Sequence, residues 1–315
     1  MATGIERTGI GEMMETSILI PTKNGAEDLE ACLAAIYTQK GTGPFEVIVI
    51  DSGSTDGTLE IAGRYPVRIE KIPPETFHHA RTRNYAASLA NGEFLVFLSQ
   101  DAIPASDAWL RTTISNFNDQ SVGATYGRQL PRHGSTLERQ ETLEAVYGRE
   151  RVVKDPSRGQ ECGFRYYHFS SVNSAIRKKV WQATGFPDDL KVYEDLGIAK
   201  RILDAGWKIV YEPQAAVYHS HSHSVGGLFK RYFDGGVVWN RLGLWNSRTK
   251  SSMLKEAWRL LRKKLVRSGG NGANGTATAS ICQDLAKSAG MFLGLHERYL
   301  PRALKRRWSA YQLFE

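Results

Sequence analysis

An unbroken apolar run at residues 47–50 (VIVI) is the feature that most constrains the fold of this chain. Apolar residues that do not alternate with polar ones are typical of a strand buried on both faces of a parallel sheet. The run ends at Asp51, and small polar residues and glycines then lead into a helix-like segment. Asp51 is therefore expected at the carboxyl end of a central strand, where open α/β sheets bind ligands. A well-capped turn without a ligand fits the same residues.

Two further apolar runs repeat this pattern. The apolar run at residues 18–20 ends before Pro21, and the run at residues 94–98 ends shortly before Asp101. Segments with apolar residues at helical spacing separate the runs, so strands and helices alternate along the chain. This alternation predicts an α/β protein with a doubly wound, mostly parallel sheet that helices flank. Residues 109–150 are predicted to be mostly helical.

The two acids that follow these strands, Asp51 and Asp101, are expected to lie on the same edge of the sheet. Two carboxylates there can share a divalent cation, or one can hold the metal while the other contacts a sugar or a base. The alternative is that each acid only caps the helix that follows it.

Two later clusters carry further candidate side chains. Glu194 and Asp195 open a segment with a helical apolar face, so they are expected at a helix N-terminus, where acids also serve simply as dipole partners. His219, His221 and His223 alternate along the chain and share one face if the preceding strand continues. Alternating histidines favour a metal site, although single histidines are usually structural.

The carboxyl-terminal third differs from the rest in charge. The formal net charge is +8, and Lys and Arg are concentrated between residues 255 and 307. Basic helices with aromatic residues suit an anionic membrane surface, and a helical cap with a solvated basic face fits equally well. Residues 267–280 (RSGGNGANGTATAS) are predicted to form a flexible linker. Nucleic acid is not expected as a partner, because no recognisable binding motif accompanies the charge.

The cellular compartment is predicted from what the sequence lacks. Three cysteines lie far apart without zinc-ligand spacing, which favours reduced thiols. The first 15 residues have no apolar signal core, and no apolar run approaches the ~20 residues that span a bilayer. The expected location is therefore cytoplasmic, peripheral on the inner face of the cell membrane.

Six short motifs follow one another over residues 16–225: 20–24 (IPTKN), 49–58 (VIDSGSTDGT), 77–84 (FHHARTRN), 97–104 (FLSQDAIP), 193–195 (YED) and 218–219 (YH). Taken in order, they resemble the family 2 glycosyltransferases of the GT-A fold. Segments 77–84 and 97–104 are similar to those of bacterial rhamnosyltransferases that build O-antigen and related polysaccharides from dTDP-L-rhamnose.

The resemblance implies roles for individual residues. Asp101 matches the last acid of the metal-binding DxD motif, whereas Ser99 stands where the first acid is usual. His219 would be an additional ligand of Mg2+ or Mn2+, and Asp195, with Glu194 beside it, would be the general base. The residues expected at the nucleotide are Pro21, Thr22, Asn24, Asp51, Arg83 and Gln100. Those expected near the donor sugar or acceptor are Asn173, Ser174 and His221.

The expected organisation is a flexible N-terminus (1–15), a GT-A catalytic domain (16–226) and a helical, basic region (227–315) associated with membrane or acceptor. The leading functional hypothesis is an inverting transferase that moves L-rhamnose from dTDP-β-L-rhamnose to a hydroxyl of a lipid-linked oligosaccharide. One alternative keeps the chemistry but uses a UDP-hexose or UDP-N-acetylglucosamine. A second is a non-catalytic scaffold that binds sugar nucleotides.

Overall fold

A mixed nine-stranded sheet organises the part of the chain that the computed structural model describes, which is residues 15–158, 163–221, 223–246, 249–251, 255 and 274–314. The strands are β1 (Thr16–Thr22), β2 (Phe45–Asp51), β3 (Arg68–Lys71), β4 (Phe94–Leu98), β5 (Ile103–Pro104), β6 (Val122–Leu130), β7 (Val152–Lys154), β8 (Asn173–Arg177) and β9 (Lys208–Tyr218). Their order in the sheet is β3-β2-β1-β4-β8-β6-β9-β5, with β7 also paired to β9.

Helices cover both faces of this sheet. They are α1 (Ala26–Tyr37), α2 (Thr58–Ala62), α3 (His79–Leu89), α4 (Trp109–Ser115), α5 (Leu137–Val146), α6 (Lys178–Thr184), α7 (Glu194–Asp204), α8 (Val225–Arg241), α9 (Asn274–Leu295) and α10 (Arg302–Trp308).

The continuous apolar runs form the buried parallel half of the sheet, as predicted. Strands β3, β2, β1 and β4 are mutually parallel neighbours. Successive residues of β2 enter two different hydrophobic cores: Ile48 and Ile50 pack on one face, and Val47 and Val49 on the other. Because each face needs its own apolar residues, the run cannot alternate with polar ones.

The other half of the sheet is mixed. Strand β8 lies antiparallel between β4 and β6, β6 and β9 are parallel, and β5 and β7 pair antiparallel with β9. The α/β class is confirmed, but parallel pairing dominates only around β1. The prediction of a mostly helical segment at residues 109–150 is wrong for β6, whose small and glycine residues fit closely under neighbouring strands. A Cβ on Gly127 would collide with the carbonyl of Ala215.

Strand β9 ends at Tyr218, immediately before the histidines. The three histidines therefore do not lie along one continuing strand. His219 and His221 lie in the loop that follows it, with ring centroids 4.7 Å apart.

The carboxyl-terminal helices pack on the same core as the sheet. Val238 and Leu295 belong to the hydrophobic cluster that includes Leu19 and Ile48 of the central strands. The predicted linker at residues 267–280 is helical from Asn274 onward, and residues 267–273 lie outside the described part of the chain. No helix in the described ranges combines the length and apolar character needed to cross a bilayer.

Helices α8 and α9 approach each other closely through glycines. A Cβ on Gly236 of α8 would lie 2.7 Å from the backbone nitrogen of Leu295. Cβ atoms on Gly290 and Gly294 of α9 would collide with backbone carbonyls of α8. Since these positions leave no room for side chains, the two helices are packed backbone against backbone.

Candidate active site

The carboxyl ends of β1 and β2 form a compact polar edge. Thr22 and Asp51 are partners in the parallel register. The buried Asp51 carboxylate accepts hydrogen bonds from the backbone N–H groups of Gly53 (3.0 Å) and Ser54 (3.2 Å). Asn24 has a φ of 47°, and its side-chain oxygen accepts from the N–H of Thr55 at 2.9 Å. The DSGSTDGT motif therefore uses its polar atoms first to hold its own turn.

Gln100 ties this edge to the end of β4. Its Oε1 accepts from the Lys23 N–H at 2.9 Å, and its Nε2 donates to the Lys23 carbonyl at 3.1 Å. Of the six residues expected at the nucleotide, all but Arg83 meet at this edge. These five are Pro21, Thr22, Asn24, Asp51 and Gln100. Their contact with a nucleotide remains a prediction.

A cluster of one carboxylate and two imidazoles follows β4 and β9. The Asp101 Oδ2 atom lies 2.8 Å from His221 Nε2 and 3.4 Å from His219 Nε2. The three candidate ligand atoms lie within 4.8 Å of one another. Burial raises the pKa of Asp101, but hydrogen bonds and positive charge from the two histidines outweigh it, and the pKa is lowered overall. His221, expected near a sugar, thus lies in the metal-type cluster.

Gln129 of β6 orients the cluster from behind. Its Oε1 lies 2.9 Å from His219 Nδ1, while its Nε2 donates to the Tyr147 hydroxyl (2.6 Å) and to Ser170 Oγ (2.9 Å). With both amide hydrogens used, the Gln129 oxygen accepts from Nδ1–H of His219. Nε2 of His219 then faces Asp101, and loss of its proton would free a lone pair for a cation, as in metal sites whose histidines are held by a second partner.

This donor set fits a divalent cation. A carboxylate with two imidazoles suits Mn2+ better than Mg2+, which prefers an all-oxygen shell. Arg132 steadies the loop around Asp101, because Nη2 donates to the Asp101 carbonyl at 2.7 Å and Nη1 pairs with Asp28 at 2.7 Å. Gln129 and Arg132 were missed by sequence analysis, since β6 itself was missed.

The acid pair at the start of α7 follows a residue with unusual backbone geometry. Tyr193 has φ 57° and ψ 30°, a left-handed conformation that costs a non-glycine residue about 1–3 kcal/mol. Its hydroxyl donates to the Arg231 carbonyl at 2.8 Å, which anchors the turn to α8. Burial, and then the charge of Glu194, raise the pKa of Asp195 to about 7.

Glu194 and Arg83 form a buried ion pair. Glu194 Oε1 lies 2.9 Å from Arg83 Nη1, and both side chains are about nine-tenths buried. Arg83 also donates to the carbonyl of His79 at 3.1 Å. Arg83 is thus placed beside the acid pair rather than at the nucleotide edge. Within the described residues Asp195 has no such cationic partner, so the two adjacent acids have different environments.

A chain of contacts leads from the metal-type cluster to Tyr147, on which the charge of Asp195 acts. It runs from Asp101 through His219 and Gln129 to the buried hydroxyl of Tyr147. Burial raises the pKa of Tyr147, and the nearby charge of Asp195 raises it further. Asp101, His219 and Asp195, remote in sequence, are therefore grouped around Tyr147.

Asn173 and Ser174 of β8 lie inside the sheet. The Asn173 amide accepts from Trp109 Nε1 at 3.0 Å and donates to the Ala215 carbonyl at 2.8 Å. Ser174 is fully buried between β4 and β6. The structure does not bring these two side chains to an exposed sugar site, because the pleat turns them into the core.

The family is established by sequence. A family model described as Glycosyl transferase family 2 matches residues 17–184, more than half of the chain, which therefore belongs to this family. The chain is thus a glycosyltransferase. It is 33% identical to the O-antigen chain rhamnosyltransferase WbaN of Salmonella anatum and 30% identical to RfbN of Salmonella typhimurium, which carries the same description. Each match covers 96% of this chain and 96% of the relative.

Solved structures share the fold at lower identity. The mannosyltransferase PcManGT from Pyrobaculum calidifontis, in complex with GDP-Man and Mn2+, has a TM-score of 0.61 and 18% identity over 90% of this chain and 88% of that one. TarS 1-349 of S. aureus in complex with UDP has a TM-score of 0.55 and 19% identity over 71% and 65%. These matches confirm the GT-A architecture expected from the motifs.

Proposed function

We propose that this chain transfers L-rhamnose from dTDP-β-L-rhamnose to a hydroxyl of a lipid-linked glycan, with inversion at the anomeric carbon. The observation that carries the proposal is the grouping of Asp195 with the Asp101–His219–His221 cluster around Tyr147. The two O-antigen rhamnosyltransferases, similar over nearly their whole length, support the choice of sugar.

Asp195 is proposed as the general base. A hydroxyl becomes an adequate nucleophile when a carboxylate within hydrogen-bond reach accepts its proton. The acceptor oxygen forms the bond to the anomeric carbon, the bond from that carbon to the diphosphate breaks, and dTDP leaves with the electron pair. A pKa near 7 allows Asp195 to be ionised at neutral pH and still accept a proton readily. The negative charge of Glu194, which is paired with Arg83, helps to raise that pKa.

The Asp101–His219–His221 cluster is proposed to hold Mn2+ or Mg2+. A cation bound there would supply positive charge to the departing diphosphate. Gln129 fixes the ring of His219, and Arg132 fixes the backbone of Asp101, so these groups are oriented in advance. Such preorganisation is how charge stabilisation is achieved without rearrangement during the reaction.

The donor is tested by comparing thymidine and uridine nucleotides. We expect dTDP with Mn2+ to raise the melting temperature more than UDP does, and dTDP-rhamnose to support transfer when UDP-glucose, UDP-galactose and UDP-N-acetylglucosamine do not. A preference for UDP would move the assignment to a UDP-hexose or UDP-N-acetylglucosamine transferase. Binding of either nucleotide without transfer to a lipid-linked acceptor would favour a non-catalytic scaffold.

We propose that the exposed face of α9 docks on the anionic cytoplasmic surface of the cell membrane. The large apolar side chains of this face, with 60–68% exposed, are Leu285, Phe292 and, just beyond the helix, Tyr299. Exposed arginines lie next to them in the sequence at positions 298, 302, 306 and 307. An apolar stripe next to clustered arginines matches the interface of an anionic bilayer in both polarity and charge.

The docking face is tested with a double variant, Leu285→Ser with Phe292→Ser. We expect co-sedimentation with liposomes containing anionic lipid to fall several-fold, because each buried methylene contributes about 0.8 kcal/mol. Tyr85→Ser, which removes an exposed aromatic from α3, is the matched control and should bind like the wild type. Unchanged sedimentation of the double variant, or a dimer that it disrupts in ultracentrifugation, would assign this face to another partner.

A further inference from the structure

Two arginines outside the family motifs, Arg139 of α5 and Arg231 of α8, belong to helices that border the site. Burial lowers the pKa of Arg139, and the charge of Arg231 is among the further causes. In the described part of the chain neither guanidinium forms an ion pair with a carboxylate. Two neighbouring cations without an acid repel each other, an arrangement that an anion would relieve.

The Arg139 guanidinium also has an unsatisfied donor. Its Nε is buried and has no hydrogen-bond partner in the structure. A buried polar group without a partner is destabilising, so such a group calls for an explanation. Arg231, in contrast, is exposed. Its Nη1 donates to the hydroxyl of Tyr311, which fixes the orientation of the guanidinium group.

The pair lies between the metal-type cluster and the acid pair. On one side, Arg139 lies in the first turn of α5, directly after the loop that contacts the histidine loop. On the other side, the Arg231 carbonyl accepts from the hydroxyl of Tyr193, which directly precedes Glu194. The loop before α5 is held to the loop of His219 and His221 by Ser135 Oγ, 2.9 Å from Ser220 Oγ.

We propose that Arg139 and Arg231 together bind a phosphate group of a substrate, either the diphosphate of the sugar nucleotide or that of the lipid-linked acceptor. The proposal rests on the transferase function proposed above. Guanidinium groups present a planar fork of N–H donors that matches phosphate oxygens, and they remain charged at any physiological pH. The two residues come from α5 and α8, so the site forms only when both helices are packed on the sheet.

The first test measures binding of inorganic pyrophosphate by calorimetry in EDTA, which removes any contribution from a bound cation. We expect measurable binding by the wild type and a loss of at least about tenfold in Arg139→Gln and in Arg231→Gln, as for the loss of a charge-assisted contact. Arg64→Gln removes the same charge from an exposed pair with Glu30 and should bind like the wild type. Absence of binding by the wild type, or variants within twofold of it, would overturn the proposal.

Folding is controlled with lysine variants. Arg139→Lys and Arg231→Lys keep the charge but lose the fork, and we expect intermediate affinities with melting temperatures close to wild type. A variant that loses pyrophosphate binding only because it unfolds would be recognised by its circular dichroism, and the lysine variant would then decide.

The second test identifies the source of the phosphate. Weaker dTDP binding in the glutamine variants would assign the pair to the donor. Unchanged dTDP binding with a higher KM for the lipid-linked acceptor would assign it to the acceptor. Pyrophosphate binding needs no transfer, so a wild type that binds pyrophosphate at the arginines but transfers no rhamnose would refute the proposed function and leave the phosphate site standing.

Discussion

The edge at the ends of β1 and β2, where we expect the nucleotide to bind (the nucleotide edge), and the side that holds the proposed base and metal ligands are built in different ways. At this edge Asp51 holds its own turn by accepting from the N–H groups of Gly53 and Ser54, and Asn24 joins that turn to the end of the neighbouring strand through the N–H of Thr55. On the other side, the contacts that orient the metal-type cluster and the acid pair join distant segments, as His219 does with Gln129 and Glu194 with Arg83. Locally built sites are visible in sequence, whereas assembled sites depend on the whole fold. Substitutions on the side of the proposed base and metal ligands should therefore change transfer or metal affinity without changing nucleotide binding.

The largest expected effect follows from Asp195→Asn. Removal of the proposed base should lower kcat by about 10²–10⁴-fold, because the acceptor hydroxyl loses its proton acceptor. Binding of dTDP at the nucleotide edge should change little. Asp204→Asn, at the exposed end of the same helix and paired with Lys200, is the control. Similar transfer rates in Asp195→Asn and the control would remove Asp195 as the base.

A second prediction concerns the residue that orients the metal-type cluster. Gln129→Met keeps the approximate size but removes the acceptor for His219 Nδ1–H and the donor to Tyr147. We expect affinity for Mn2+, measured from the free ion by electron paramagnetic resonance, to fall about 10–100-fold. The exposed Gln214→Met on β9 should leave it unchanged. Equal affinities in the two variants would mean that Gln129 does not orient a metal site.

The smallest of the three effects is a shift in pH dependence. Since Asp195 must be ionised to accept a proton, transfer should rise with pH through its raised pKa of about 7. Glu194→Gln removes a negative neighbour and leaves the positive charge of Arg83, and both changes favour ionised Asp195. The rising limb of the kcat profile should therefore move to lower pH. A limb that stays in place or moves upward would contradict this assignment, provided that the melting temperature shows a folded variant.

Sequence predicted the locally encoded half of the molecule well. The apolar runs of β1, β2 and β4, the position of Asp101 after a strand, and Glu194 and Asp195 at the start of α7 are all confirmed as structural predictions. These features depend on periodicity and strand ends, which short stretches of sequence reveal.

The assembled half could not be predicted in the same way. Strand β6 contains Gly123 and Gly127 and few large apolar residues, so its strand character comes from the neighbours it fits against. Residues 274–280 are poor helix formers by composition, yet they begin a helix whose later turns pack on α8. Tertiary packing overrides local preference in both places. The contacts of Gln129 and the proximity of Arg139 to Arg231 follow only from that packing.

The glycine contacts between α8 and α9 have a mechanical consequence. At Gly236, Gly290 and Gly294 no side chains separate the two backbones, so no side-chain rearrangement can absorb a displacement of one helix. We therefore expect α8 and α9 to move together as one rigid unit when the outward surface of α9 is displaced. Because the Tyr193 hydroxyl donates to the carbonyl of Arg231 in α8, the turn that precedes Asp195 is attached to this pair of helices.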